Sequence, residues 1–179
     1  MTHDVTVTLA VLGVAGQALA ALLLLVALAR LGRLRELVEG YELWLVFAVS
    51  AIATGGSLFF SEIAGFVPCE LCWFQRICMY PLSIASLLAA AANDRRASRY
   101  LLPLPLVGAG VSVYHLLIEN GAIKEPSACQ IGGAGCAVKW INEFGYMTIP
   151  TLALTGFALC FAFLLLGALP PPRAATVTE

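Results

Sequence analysis

Five long stretches of the chain are almost free of polar side chains, and shorter polar links separate them. They cover residues 5–29, 41–60, 73–92, 100–118 and 148–169. A bilayer core about 30 Å thick is crossed by about 20 apolar residues in a helix, so each stretch is long enough to span it. A segment isolated in hydrocarbon can satisfy its backbone polar groups only within itself, which predicts helix for all five. The fold class that follows is an all-α integral membrane protein with five spans in a single membrane domain. Two polar segments between spans, 61–72 and 119–147, form loops on one side.

Composition points the same way. Of 179 residues, 60% are apolar and 12% charged, against about 25% charged in a soluble domain. The net charge of -1 gives no footprint for nucleic acid. The first apolar stretch is not read as a secretion signal. Met1-Thr-His-Asp4 carries no Lys or Arg, and the run outlasts an h-region of about 7–15 residues. It is expected to remain as a transmembrane helix.

The basic residues set the orientation. Arg30, Arg33, Arg35, Arg95, Arg96, Arg99 and Arg173 fall on one side of a five-span chain, and Arg76, Lys124 and Lys139 on the other. The positive-inside rule then predicts an outward N-terminus and a cytoplasmic C-terminus. Both loops, 61–72 and 119–147, face outward. Pro170-Pro-Pro172 is expected to stop the last helix.

Four of the six cysteines lie in or beside those loops. Cys69 and Cys72 form a Cys-x-x-Cys where the third span begins, behind Pro68. At a helix N-terminus such thiols meet the positive end of the macrodipole, which favours the reactive thiolate. Cys129 and Cys136 bracket a link with three glycines, which makes it supple. Three readings fit this set. Four cysteines satisfy the ligand number of structural zinc, although the second spacing is poor for a zinc knuckle. Disulfides that only brace the loops are a second reading. A relay is the third: a mobile disulfide attacked from outside exchanges with a fixed dithiol. The outward pairs agree with an oxidising compartment.

A relay needs a terminal acceptor. The sequence holds no haem, flavin or iron–sulfur motif, and at this depth the acceptor on offer is a lipid-soluble quinone. Arg76 lies one helical turn after Cys72 on the same face. A cation there stabilises a Cys72 thiolate and negative charge on a quinone oxygen; alone, it would read as an arginine snorkelling to headgroups. His115, late in the fourth span, is an ionisable residue within the membrane and a candidate to bond a quinone oxygen. Cys78 and Cys160, inside spans, read as small core hydrophobes. Residues 137–147 put Val138, Ile141, Phe144 and Met147 on one helical face, with Trp140 nearby, and predict a short interfacial helix.

The stretch Ser57-Leu-Phe-Phe-Ser-Glu-Ile-Ala-Gly-Phe-Val-Pro-Cys-Glu-Leu-Cys-Trp-Phe-Gln-Arg-Ile-Cys-Met-Tyr-Pro-Leu82 resembles the DsbB family of disulfide-bond-formation proteins, and its BdbC branch most. Tyr114-His115, the Cys129/Cys136 loop and Phe144-Gly-Tyr-Met-Thr-Ile-Pro150 support the likeness, which covers residues 57–154. The resemblance implies a four-helix membrane bundle in a bacterial cell membrane that oxidises a thioredoxin-fold, DsbA-like partner and passes electrons to ubiquinone or menaquinone. It implies that Cys129–Cys136 is the shuttle disulfide, with Cys129 attacked by the partner. Cys136 would exchange with Cys69, and Cys72 would face the quinone beside Arg76, with His115 close to the quinone. Residues 1–40 depart from that pattern by adding a helix in front, whose purpose the resemblance leaves open. Enzymes like vitamin K epoxide reductase also join quinone and thiols in a helical bundle. Their Cys-x-x-Cys comes late, after the loop pair, whereas here it comes first.

Overall fold

The computed structural model of the protein describes residues 2–29, 38–130 and 135–169. Arg30, Arg33, Arg35, Arg173, Gly132, Gly133 and Pro170-Pro-Pro172 lie outside the described residues. Six α-helices make up the described chain: α1 (Thr2–Leu28), α2 (Glu42–Leu58), α3 (Glu70–Ala91), α4 (Ala97–Leu101), α5 (Pro103–Glu119) and α6 (Ile149–Ala168). Five helical stretches are long and apolar enough to cross a membrane, with α2 extended to Ile63 and α4 and α5 counted together. The all-α membrane architecture expected from the sequence is what forms.

α6 is the central post. It packs against α1, α2 and α5, and Phe157, Cys160, Leu164 and Leu166 are fully enclosed along it. Small residues let its neighbours close in. Gly108 of α5 lies flat against the Phe157 ring, and Gly16 of α1 leaves room for Thr155 and Leu159. Without a hydrophobic force between helices in lipid, such close van der Waals packing is one of the main sources of attraction. Cys78 and Cys160 are buried in this core, as small hydrophobes would be.

At one end of the bundle Arg95 pairs with Glu39 at 3.6 Å, and Arg99 Nε donates to the Ala168 carbonyl. At the other end α2 loosens into a π-turn, Phe59–Ile63. Gly65, at φ +72°, then reverses the chain toward Pro68 and α3.

Residues 137–147 do not form the interfacial helix that their apolar spacing predicts. They fold as an irregular loop. Phe144 and Gly145 both take left-handed backbone, at φ 55° and 78°, which a right-handed helix does not tolerate. The turn they make is closed by paired backbone bonds between Glu143 and Met147. Ile141 and Met147 are buried by this route, while Val138 and Phe144 stay exposed. The amphipathic pattern is therefore used by a folded loop, not by a helix.

Candidate functional site

The site begins with how α3 starts. Cys69 is its N-cap, in extended backbone, and its sulfur accepts from the Cys72 backbone N–H at 3.3 Å. The cap thus satisfies one of the amide donors that every helix start leaves without an intrahelical partner. The two-residue spacing returns Cys72 over the cap, with the sulfurs 2.8 Å apart. Both are free thiols, whereas Cys129 and Cys136 are joined in a disulfide.

The two thiols look in different directions. Cys69 is buried in a small cluster with Ile118, Cys129 and Cys136. Its sulfur lies 3.7 Å from His115 Nε2. The same nitrogen is 3.0 Å from the Cys136 carbonyl oxygen. A carbonyl only accepts, so Nε2 carries the proton and donates there. His115 therefore ties the loop disulfide to the first thiol. Its Nδ1 is buried without a hydrogen-bond partner among the described residues. Cys72, by contrast, opens onto a cavity of about 400 Å³ between α1, α2, α3 and α6. His115 is not among the residues lining that cavity, so the structure puts it on the disulfide side of the dithiol.

Arg76 lines the cavity beside Cys72. Its Nε donates to Ser57 Oγ at 3.0 Å and its Nη2 to the Ser57 carbonyl at 3.0 Å. The guanidinium also lies over the Trp73 ring, 5.1 Å from its centroid, a cation–π contact. Among the described residues no carboxylate pairs with it, so its charge stays directed at its surroundings. Tyr80, one turn further along α3, donates to Ser57 Oγ at 3.3 Å. Gln75 is buried and held by Ser112 of α5 at 3.0 Å. Apart from Thr155 the rest of the lining is apolar, and it includes a run of stacked rings. Phe60 lies on Phe66 at 5.7 Å and Phe66 on Trp140 at 5.0 Å. Offset ring pairs of this kind contribute about 0.5–1.5 kcal/mol each.

Sequence reasoning named the four cysteines, Arg76 and His115, and did not name Ser57, Gln75, Tyr80 or the stacked rings. Tyr80 had a signal, the four-residue spacing from Arg76. Ser57 and Phe66 had none, since their partners lie in other elements. Metal-ligating atoms among the described residues gather in two separate trios, Cys69–Cys72–His115 and Glu125–Cys129–Cys136. The four cysteines do not converge on one point.

The hydrogen bond from Cys72, with His115 adding to it against the opposing effect of burial, holds the Cys69 thiol down to about 5 from an ordinary 9.0. The folded value lies below the free one, so the thiolate is present at neutral pH and is lost as pH falls through about 5. Thiolate absorbance of the reduced protein is expected to persist to mildly acidic pH and to fade only near that value. A midpoint near 9.0 would show that Cys72 and His115 do not activate this sulfur.

Comparison with known proteins adds a lineage to this geometry. A family model described as "Disulfide bond formation protein DsbB" matches residues 41–167. The chain is 42% identical over 124 residues to "Disulfide bond formation protein C" of Bacillus subtilis, covering 69% of this chain and 90% of that one. It is 44% identical over 117 residues to "Probable disulfide formation protein C 1" of Bacillus anthracis, covering 65% and 84%. It is 39% identical over 132 residues to "Probable disulfide formation protein" of Deinococcus radiodurans, covering 68% and 85%. No solved structure matches significantly.

Proposed function

The chain belongs to the DsbB family of disulfide bond formation proteins, and on that premise we propose that it is a quinone-dependent dithiol oxidase serving a thioredoxin-fold, DsbA-like partner. Membership makes it a multi-pass membrane oxidoreductase of disulfide formation. The observation that carries the finer reading is the division of the dithiol. Cys69 is buried within the cluster that holds the loop disulfide, and Cys72, packed at the edge of that cluster, is the one of the two that lines the apolar cavity.

The relay runs as thiol–disulfide exchange. A partner thiolate attacks Cys129, forming a mixed disulfide and releasing Cys136 as thiolate. The partner's second thiolate attacks its own bridged sulfur, so the partner leaves oxidised and Cys129 leaves reduced. Cys136 then attacks Cys69 of an oxidised Cys69–Cys72 pair, and Cys72 departs as thiolate into the cavity. Cys129 attacks Cys136, restores the loop disulfide and expels Cys69. A sulfur of low pKa leaves faster, so the depressed value at Cys69 favours this inward step. The result is a loop disulfide beside a reduced Cys69/Cys72 pair.

A quinone held beside Cys72 would supply the acceptor for two electrons and two protons, and Cys69 and Cys72 would thereby return to the disulfide. The residues present suit that acceptor: an apolar cavity, with the Arg76 guanidinium and the Gln75 and Tyr80 polar groups along its α3 wall. Arg76 would stabilise negative charge on a bound oxygen, and Cys72 would supply the nucleophile once the proton it shares with Cys69, 2.8 Å away, has passed to that sulfur. His115 acts on the exchange step, aligning Cys136 with Cys69. The positive-inside distribution supports an outward site in a bacterial cell membrane, with the N-terminus outside and the C-terminus cytoplasmic.

The test is to mix purified protein with a reduced thioredoxin-fold partner and ubiquinone or menaquinone. One quinol is expected for each partner disulfide formed. Partner oxidation without quinol would exclude the quinone; no partner oxidation would exclude the oxidase.

A further inference from the structure

Helix α1 lies wholly ahead of residue 41, where the family match begins. It nevertheless forms one side of the cavity. Leu9, Leu12, Gly16 and Leu19 all line it. We propose that α1 is a selectivity wall that sets which quinone tail the cavity accepts, an inference that rests on the quinone reading above.

The rotation of α1 is fixed. Gly13 and Gly16 press on α6, where a Cβ would come within 2.6 Å of Leu152 Cδ2 and 3.0 Å of Thr155 Cγ2 respectively. Gln17 locks the register by donating to Thr155 Oγ1 at 3.4 Å and accepting from the Tyr146 hydroxyl at 3.2 Å. With that face on α6, the Leu9–Leu12–Leu19 edge turns to the cavity, and Ala18 points away and is exposed.

The wall also has direction. Leu9 abuts Gly56, next to the Ser57 that holds Arg76, so it stands at the polar, ring-binding end. Gly16 meets Leu159 further down α6, so Leu19 stands at the far, apolar end. Ten residues of helix separate Leu9 from Leu19, which is about 15 Å of wall. A quinone ring fills only the end beside Cys72 and Arg76. What remains is an apolar channel of the kind a polyprenyl tail occupies, and without α1 that side of the channel would open to lipid.

The test compares a polyprenyl ubiquinone with a tail-less one. Leu19→Trp fills the far end, and the ratio of apparent KM values, polyprenyl over tail-less, is expected to rise about tenfold. Leu12→Phe, two turns up the same edge, is expected to shift the ratio in the same direction. Ala18→Trp, on the opposite face, is expected to leave it at the wild-type value. Exchange between the partner and Cys129–Cys136, followed by alkylation of free thiols, reports that each variant is folded. An unchanged ratio in both edge variants, or an equal shift in Ala18→Trp, would overturn the role of α1. Wild-type protein that forms no quinol would instead overturn the quinone reading beneath it.

Discussion

Quinol formation is expected to fall by about a thousandfold or more when Cys72 is replaced by serine, the scale on which removing a nucleophile acts. Of the four cysteines in the relay, Cys72 alone lines the cavity. A serine hydroxyl stays protonated at neutral pH and has no base within the cavity lining to activate it. The upstream cysteines are untouched by the change. Cys129–Cys136 should still accept a partner thiolate, and in molecules whose loop disulfide is intact Cys69, left without its neighbour, should attack Cys136, forming a Cys69–Cys136 bridge and releasing Cys129 as thiolate. Non-reducing digestion followed by mass spectrometry would identify that bridge. Undiminished quinol formation in Cys72→Ser would remove this sulfur from the route. A loss of the first exchange with the partner would mean that the variant damages the fold and not the last step.

Arg76→Ala is expected to raise the apparent KM for quinone about ten- to a hundredfold. A hydrogen bond to a charged group contributes about 1.5–3 kcal/mol, and each 1.4 kcal/mol is about tenfold in affinity. The guanidinium is held in place by its two bonds to Ser57 and its contact with Trp73, so little ordering remains to be done when an acceptor binds. Arg76→Lys keeps the charge but not the planar fork that spans Ser57 Oγ and the Ser57 carbonyl, and should fall between the two. Unfolding in detergent separates the alternatives. A KM left unchanged, with a lowered unfolding midpoint, would make Arg76 only a tie between α2 and α3.

The spans were legible because their signal is local. Length and apolarity alone decide whether a segment crosses a bilayer. The start of α3 was legible for a similar reason, since Pro68 and the Cys-x-x-Cys spacing act within one turn. The segment 137–147 shows the limit. Its apolar positions fit a helical face, but left-handed backbone at Phe144 and Gly145 breaks the helix. Burial of Ile141 and Met147 is reached by a loop just as well. Ser57 could not be found from sequence because its meaning comes from Arg76, one helix away. His115 was legible as an ionisable residue in a span, but not its direction. Packing turns it toward Cys69 and the Cys136 carbonyl, outside the cavity lining.

The stacking of Trp140 on Phe66 ties together two parts that the chemistry keeps apart. Trp140 follows Cys136 by four residues, on the loop that the proposed relay would have a partner engage at Cys129. On the proposed relay, a pull on that loop would also be a pull on the rings that line the cavity with Cys72. One piece would then serve as both ferry and hatch, and the two half-reactions would take turns.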